Sequence, residues 1–449
     1  MKKILFIVLM TIELVAVKNF TLGESINEAL LNNKKNNISK LALEIAKYQH
    51  KQAQSANYPN LNLELIANRS KVDESFKMFD TIQFDASALG GGILDIPLDL
   101  DVKVAGRDSR LAKLEMLYPL YTGGKITSII EQANLNKLLA KENISREKIN
   151  IIFDVKQYFY AYRLSSELFA LANDVYLRMK NLEKLTKQFL EEGDSLNIKK
   201  TDYLNMQVTV ALIGSKVTSF KIKKELSKAA LKNVMGIKYD KDVNFIYNKN
   251  DISYNNESLE NIIKEAYLNN KDLSKINIVL DIYEERIKEA KAEYYPDIAL
   301  VANARTGYNS YTYSKLNDNT WSVALVAKLP LFNGFSTKNK IKEKELRKIK
   351  MQENKHLVKE GLALLLNNEF IKSSYTYKQI LLLKNAKTIA SANRELNVRA
   401  YRIDAVTSKE VIEAQLSKAY VEIDYLVHVH DYLLSLAKIE QLIGIEIKK

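Results

Sequence analysis

The feature that most constrains this sequence is an internal duplication built around two short motifs. The first motif is Tyr118–Lys125 (YPLYTGGK) and the second is Leu329–Ser336 (LPLFNGFS). Each ends an alternating apolar run and begins a long helical pattern. The proline of each motif fixes φ and cannot donate a backbone hydrogen bond, which suits the end of a strand. Gly123 and Gly334 then supply the free φ of a sharp turn, so each motif predicts a strand-to-helix junction.

Matched residues elsewhere show that the whole layout repeats. The segment Glu28–Asn33 (EALLNN) corresponds to Glu265–Asn270 (EAYLNN), and Tyr58–Pro59 corresponds to Tyr295–Pro296 at the same offset. Four of the five prolines are therefore matched prolines at strand ends: Pro59, Pro119, Pro296 and Pro330. We divide the chain into a first repeat at 24–236, an equatorial linker at 237–257 and a second repeat at 258–446.

Hydrophobic periodicity predicts the elements of each repeat. A helix over 24–57 precedes the first pair of strands. Asp202 and Gln207 match Glu410 and Gln415 at a second common offset, which pairs the two return helices. The further predicted elements are strands at 61–70, 109–119, 297–308 and 320–331, long helices at 125–190 and 336–399, and return helices at 201–234 and 407–442.

The two long helices carry seams with coiled-coil spacing. In the first helix the predicted seam is Ile152, Val155, Phe159, Tyr162, Ser166 and Phe169. In the second it is Leu357, Gly361, Leu364, Asn368, Ile371 and Tyr375. The two shorter helices of each repeat together match the long helix in length and can pack beside it.

The predicted strands alternate between apolar and polar residues, with Leu61, Leu63 and Leu65 on one face of the first strand. Strands of about 10 residues are long enough to cross a membrane when tilted. Four such strands cannot enclose an aqueous bore, and open sheet edges are untenable in lipid, so several chains must share one barrel. Three chains would supply twelve strands. Tyr308, Tyr311, Tyr313 and Trp321 are placed where an aromatic girdle belongs, with loop tyrosines as the alternative. Alternation over 98–104 suggests an extra hairpin within 70–108.

Composition narrows the classes of function. The first residues, two lysines followed by an apolar run, predict a signal peptide at 1–17, with an amphipathic helix as the alternative. The chain has no cysteine, which excludes disulfides, thiolate metal sites and lipidation at a cysteine. The net charge of +13 is spread along the helices without a basic cluster, so no nucleic-acid partner is expected. No apolar run is long enough for a transmembrane helix.

With both junctions reading Pro-Leu-(Tyr/Phe)-x-Gly, the duplicated order helix, strand, strand, long helix, helix resembles the TolC family of outer-membrane efflux channels. The resemblance covers about 24–446. It implies an α+β, mainly α fold whose four membrane strands join a trimeric twelve-stranded β-barrel continued by a periplasmic α-helical coiled-coil tunnel. It also implies a homotrimer in the outer membrane of a Gram-negative-type bacterium. The implied partners are outer-membrane lipid, a periplasmic adaptor protein and an inner-membrane pump of the RND, ABC or MFS type.

The resemblance also assigns candidate gate residues. In such channels acidic side chains of the second return helix narrow the bore and favour cations, and Glu410 and Glu413 stand at those positions. Their i, i+3 spacing places them on one helix face. Asp202, Tyr401 and Asp404 fall in the closing network. Val406 stands where the family prototype has a basic residue, which puts a salt-bridge lock in doubt. Two solvated glutamates with no gating role are the alternative interpretation.

The sequence predicts no enzyme, cofactor or metal site. His428 and His430 are two residues apart on a helix and share no face, and Gly90–Gly92 lacks the residues of a phosphate loop. The predicted function is the exit duct of a tripartite efflux or type I secretion system for small molecules or polypeptides. The alternative is a secreted or surface-attached coiled-coil structural protein or adhesin without a pore.

Overall fold

The computed structural model describes residues 18–192, 198–248, 252–254, 257–309 and 318–445, so the predicted signal peptide lies outside the described residues. The described helices are α1 (Leu22–Asn32), α2 (Lys34–Gln54), α3 (Lys125–Glu192), α4 (Lys200–Val234), α5 (Leu259–Asn269), α6 (Lys271–Ala292), α7 (Ser336–Arg402) and α8 (Ser408–Ile443). The described strands are β1 (Lys18–Phe20), β2 (Asn60–Arg69), β3 (Glu74–Asp85), β4 (Ile93–Ala105), β5 (Asp108–Thr122), β6 (Val243–Phe245), β7 (Asp297–Asn309) and β8 (Thr320–Lys328).

The order of elements confirms the duplicated fold class. Helices α1 and α2, strands β2 and β5, and helices α3 and α4 are followed by the same series in α5, α6, β7, β8, α7 and α8. The first repeat contains the additional strands β3 and β4. Within the described ranges, no helix has an apolar stretch of the length needed to cross a bilayer.

The chain divides into two compact units. The sheet unit comprises Ile45–Lys137 and Ile278–Met351, and the helical unit comprises Met1–Glu44, Leu138–Asn277 and Gln352–Lys449.

The sheet unit contains a four-stranded antiparallel sheet in the order β2-β5-β7-β8. Its register places Leu63, Leu114, Ala304 and Trp321 in one row across the sheet. Strands β3 and β4 form a separate antiparallel hairpin, in agreement with the alternation seen at 98–104. The base of this hairpin is closed by Asp73, whose carboxylate accepts hydrogen bonds from Lys103 Nζ and Arg107 N, both at 3.1 Å.

The helical unit is built around apolar clusters between its helices. One cluster joins α3 and α8 to the short parallel sheet of β1 and β6, and its centre is aromatic. The Tyr162 and Phe245 rings lie 5.2 Å apart in an edge-on arrangement, and Phe20 and Phe159 are also buried. Strand β6 lies inside the predicted linker at 237–257, so that segment contributes to the core.

An asparagine divides the first helix of each repeat, where the sequence predicted one helix over 24–57. Asn33 separates α1 from α2, and its Nδ2 donates to the Val234 carbonyl oxygen at 2.7 Å. Asn270 separates α5 from α6, and its Nδ2 donates to the Leu442 carbonyl oxygen at 2.7 Å. Each side chain also accepts a backbone N–H from the helix that follows. The asparagines thus satisfy helix-end groups of two helices at once.

The seam predicted on α3 holds in part, since Val155, Phe159 and Tyr162 are buried. The seam predicted on α7 is wrong for the packing within one chain. Leu357 and Leu364 are 67% and 61% exposed, whereas the buried residues of the helix between positions 357 and 380 are Leu362, Leu366, Ser373, Thr376 and Ile380. Helix α7 has two apolar stripes, and periodicity cannot show which of them faces the helices of its own chain.

Candidate functional site

The predicted gate residues lie around the turn between α7 and α8 in the helical unit. The turn is closed by backbone bonds from Ala405 N to the Ala400 carbonyl oxygen at 2.9 Å and from Asp404 N to the Tyr401 carbonyl oxygen at 3.1 Å. Asp404 adopts a left-handed conformation with φ of 58°. Asparagine and aspartate tolerate this conformation better than other side-chain-bearing residues, so Asp404 has a role in the turn itself.

Glu410 forms a capping box at the start of α8. Its carboxylate accepts hydrogen bonds from Thr407 N at 2.7 Å and Thr407 Oγ1 at 2.8 Å, while Glu410 N donates to Thr407 Oγ1 at 3.4 Å. These bonds, first of all the one from the backbone, hold the pKa of Glu410 below its usual range. Thr407 and Glu410 have the Thr-x-x-Glu spacing of a capping box, so the sequence contains a local signal for this cap.

Glu413 lies one turn further along α8 and projects into solvent. Its carboxylate is 3.9 Å from Lys409 Nζ, and the two side chains are 64% and 80% exposed. Ion pairs this exposed contribute little to stability. The face that carries Glu410 and Glu413 therefore bears two carboxylates together with one neighbouring lysine.

Asp202 occupies the matching position at the start of α4. Its carboxylate accepts a hydrogen bond from Lys199 N at 2.8 Å, as Glu410 accepts one from Thr407 N. The two residues paired by the sequence repeat are thus the capping carboxylates of the two return helices. Residues 193–197, before this cap, lie outside the described residues.

Tyr401 is fully buried and links α7 to α3. Its hydroxyl lies 2.7 Å from Thr186 Oγ1, which in turn donates to the Leu182 carbonyl oxygen at 2.8 Å. Burial raises the pKa of Tyr401, and the charges of Asp202 and Asp404 act in the same direction. Thr186 gave no signal in the sequence, because it contacts a residue more than 200 positions away.

The sheet has two chemically different faces. Its register aligns one face of Leu61, Leu63, Leu65, Leu114, Met116, Leu300, Ala302, Ala304, Trp321, Val323 and Leu325. The opposite face carries Asn62, Glu64, Lys113, Glu115, Asn303, Arg305, Thr320 and Ser322. An exposed apolar face opposite a polar one is the pattern of a sheet that separates lipid from an aqueous lumen.

Only part of the predicted aromatic girdle lies within the described residues. Trp321 is 78% exposed on the apolar face, and Tyr308 lies on the same face opposite Arg110. Tyr311 and Tyr313 lie outside the described residues. An indole and a phenol near one end of the strands are suited to the membrane–water interface.

The strand-end prolines take up two kinds of position. Pro59 and Pro296 directly precede β2 and β7. Pro119 lies inside β5, where a register shift between Pro119 and Tyr121 accommodates the missing N–H, and the strand continues to Thr122. Pro330 follows the end of β8 at Lys328. The sequence predicted strands at 109–119 and 320–331, with Pro119 as the last residue of the first and Pro330 next to the last residue of the second. It predicted neither the bulge at Pro119 nor the earlier end of β8 at Lys328.

The glycines of the two junctions differ in their surroundings. Gly123 has φ of 60°, and a Cβ added there would lie 2.6 Å from Tyr295 Cβ and 2.7 Å from the Ala292 carbonyl oxygen. Gly334 has φ of 63°, but a Cβ there would meet open space. Both junctions require a left-handed conformation, and the first also requires a close approach of the backbone.

The described part of the chain offers no group of three His, Cys, Asp or Glu side chains that could hold a metal ion. His428 Nδ1 lies 2.7 Å from the carbonyl oxygen of Asp424, four residues earlier on α8, and His430 Nδ1 lies 3.1 Å from Asp431. These contacts are local to α8.

Comparison with known protein families identifies a family that matches both repeats. A family model described as outer membrane efflux protein matches residues 25–193 and 262–444, which correspond to the two repeats. No curated protein sequence matches the chain.

Among solved structures, the Campylobacter jejuni CmeC outer membrane channel superposes with a TM-score of 0.75 at 13% identity, over 94% of this chain and 85% of that one. The outer membrane protein VceC of Vibrio cholerae gives 0.73 at 15% identity, over 95% and 97%. The open state of the Neisseria gonorrhoeae MtrE outer membrane channel gives 0.73 at 16% identity, over 95% and 89%. At these identities the likeness establishes a shared fold.

Proposed function

Because the chain belongs to the outer membrane efflux protein family, we propose that it is the passive exit duct of a tripartite export system in the outer membrane. Its strands form the membrane channel and its helices the periplasmic tunnel, and it moves solutes without enzymatic catalysis. The observation that carries this function is the two-faced sheet, whose apolar face is exposed and whose polar face can line a bore. A coiled-coil fibre or adhesin would have no use for such a sheet.

The sheet also supports assembly as a homotrimer. In the order β2-β5-β7-β8, strands β2 and β8 are the edges of the described sheet. Their unpaired backbone groups would be costly in lipid, and pairing β8 of one copy with β2 of the next removes both edges. Three copies close a twelve-stranded barrel with room for an aqueous bore.

The helical unit supports the same assembly through the exposed stripe of α7. Its members recur mainly every seven residues and are 46–73% exposed: Leu357, Leu364, Ile371, Tyr375, Leu382, Ile389 and Leu396. Helix α4 has an exposed apolar stripe as well: Leu204, Val208, Leu212, Ile222 and Leu226. Sustained heptad spacing is the signature of a helix that packs against another helix, and a neighbouring copy supplies one.

The duct is tested by reconstituting the purified protein in planar lipid bilayers. We expect steady conductance with a preference for cations. Stable trimers that stay electrically silent would overturn the duct and favour the fibre.

We further propose that Glu410 and Glu413 form two carboxylate rings that narrow the bore, with Asp202, Tyr401 and Asp404 holding the surrounding turns. The support is their shared exposed face and the capping bonds that keep Glu410 ionised. Rings of like charge bind cations and exclude anions. Because Lys409 lies 3.9 Å from Glu413, it offsets part of that charge in this chain.

The gate is tested by Glu410→Gln combined with Glu413→Gln. Glutamine also serves at this position of a capping box, so the variant removes charge while keeping the cap. We expect weaker cation selectivity and weaker block by multivalent cations, and Lys409→Gln should shift selectivity the opposite way. Unchanged reversal potentials in both variants would remove these residues from the gate.

The partners proposed for the duct are a periplasmic adaptor protein and an inner-membrane pump of the RND, ABC or MFS type. Outer-membrane lipid contacts the apolar face of the sheet. Chemical crosslinking in cells that express candidate adaptors, followed by isolation of the trimer, tests the first of these contacts.

A further inference from the structure

A row of four residues, three of them charged, crosses the polar face of the sheet. The register places Glu64 of β2 opposite Lys113 of β5, and Lys113 opposite Arg305 of β7. Arg305 is in turn opposite Thr320 of β8. One residue of this row comes from each of the four strands, and Glu115 follows Lys113 on the same face. We call Glu64, Lys113, Glu115 and Arg305 the charged belt.

The contacts within the belt leave its two cations unequally compensated. Lys113 forms an ion pair with Glu115, its neighbour two residues along β5. Arg305 Nε donates to the neutral hydroxyl of Thr320 at 3.0 Å. The hydrogen bond of Arg305 therefore goes to an uncharged partner. Lys113 and Arg305 are directly opposite each other on adjacent strands.

The Lys113–Arg305 juxtaposition is unfavourable for the sheet itself. Directly opposed residues of an antiparallel pair have Cβ atoms about 5 Å apart, and like charges in that position destabilise the pairing. Glu64 lies opposite Lys113 on its other side, but the neighbour of Arg305 on β8 is the neutral Thr320, so no carboxylate is aligned with Arg305. Exposure to water limits the cost, because the solvent screens both cations.

We propose that the charged belt lines the bore of the barrel and forms a second electrostatic station, at which the paired cations Lys113 and Arg305 attract anions and anionic groups of passing solutes. This inference rests on the proposed barrel, which turns the polar face inward. Three copies repeat the pair three times around one bore. Anions are drawn to Lys113 and Arg305 within the belt, whereas cations are drawn to the carboxylates Glu410 and Glu413.

The first test measures reversal potentials in bilayers under a KCl gradient. Arg305→Gln should raise the permeability of K⁺ relative to Cl⁻ by about twofold or more, since three charges are removed from a confined bore. Glu64→Gln should shift the ratio toward Cl⁻. Arg110→Gln is the matched control, because Arg110 is on the same strand as Lys113 but on the apolar face, and it should change nothing.

A second test uses the absence of cysteine from the chain. Ser322→Cys places a thiol on the polar face beside the belt, and Val323→Cys places one on the apolar face. An anionic methanethiosulfonate reagent should modify the Ser322 variant faster than a cationic one. Lys113→Gln with Arg305→Gln should abolish that preference, and Val323→Cys should not react with either reagent.

The results of these tests show whether the charged belt alone fails or the proposed duct fails as well. A silent wild-type protein would refute the proposed function itself. A conducting channel whose selectivity is the same in Arg305→Gln, and whose Ser322→Cys thiol shows no preference between the reagents, would overturn the belt alone.

Discussion

The two strand-to-helix junctions have the same sequence pattern but depend on different physical interactions. At the first, Gly123 packs its backbone against Tyr295 and the Ala292 carbonyl oxygen, so a side chain has no room. At the second, Gly334 is open, and side chains link the start of α7 to Glu293, the residue that follows α6. Thr337 Oγ1 donates to Glu293 Oε2 at 3.0 Å, and Lys340 pairs with the same carboxylate. The two junctions therefore share the same turn, but the residues that pack around the turn differ between the repeats.

The two repeats are alike at their helix breaks, which are the points where Asn33 separates α1 from α2 and Asn270 separates α5 from α6. Gly236 and Gly444 both have positive φ, and both lie so close to a carbonyl oxygen, that of Asn32 or of Asn269, that a Cβ would clash with it. Beside them Asn33 and Asn270 make equivalent bonds. Backbone groups at a buried helix end must be satisfied, and few residues can do so, which explains why this geometry recurs in both halves.

The largest difference between repeats is expected at the junction glycines. Gly123→Ala combines a left-handed conformation with a steric clash and should lower the free energy of unfolding by about 3 kcal/mol. Gly334→Ala introduces only the conformational cost, roughly 1 kcal/mol. Thermal unfolding followed by circular dichroism and by trimer loss on unheated gels measures both. Equal losses would show that the close approach at Gly123 relaxes freely.

The next largest effect is expected at the helix-break asparagines. Asn33→Ala and Asn270→Ala each leave a helix-end carbonyl without its partner and should cost about 2 kcal/mol apiece. Asn32→Ala is the control, because that side chain is exposed and bonds only to Glu28 on its own helix. A large difference between the two break variants would contradict the equivalence of the repeats.

A smaller effect, dependent on pH, is expected at the cap of α8. The pKa of Glu410 is depressed in the folded state, so its stabilisation is complete above the unfolded pKa and is lost as pH falls through the folded pKa. Below about pH 4.3 the thermal midpoint of the wild type should therefore fall more steeply than that of Glu410→Gln. Glu413→Gln, which leaves the cap intact, should follow the wild-type profile.

The smallest effect is expected at Gln207 and Gln415, the glutamines that occupy equivalent positions in the two return helices. Gln415 is 1% exposed and its Oε1 has no hydrogen-bond partner, whereas Gln207 is exposed and donates to the Tyr203 hydroxyl at 2.9 Å. Gln415→Leu should be neutral or stabilise the protein by up to about 1 kcal/mol, since it removes a buried unpaired oxygen. Gln207→Leu should leave the unfolding midpoint unchanged. Marked destabilisation by Gln415→Leu would indicate that its oxygen is paired in the assembly.

Much of the fold could be predicted because its signals are local. Proline and glycine marked the junctions, period-two alternation marked β2, β5, β7 and β8, and long helical periodicity marked α3 and α7. What failed depended on contacts between distant residues. In the sequence Asn33 is indistinguishable from an ordinary helix residue, because its hydrogen bond to the Val234 carbonyl oxygen joins distant parts of the chain. Likewise, periodicity alone could not show which of the two apolar stripes of α7 is buried.

The candidate site divides in the same way. The i, i+3 spacing of Glu410 and Glu413 and the Thr-x-x-Glu cap are visible in the sequence, because both are set by helix geometry. The burial of Tyr401 against Thr186 is not visible, since it joins residues of different repeats. The alignment of Lys113 with Arg305 depends on β5–β7 pairing across nearly two hundred residues.

The sequence by itself determined the duplication, the alternation of the strands, the caps and the turn glycines, because each depends on the φ preference, hydrogen-bonding groups or periodicity of neighbouring residues. Only the tertiary structure decided which stripe of α7 is buried, how β5 passes Pro119, and which charges share a row. Those features depend on the register between segments far apart in the chain, and local propensity does not encode that register.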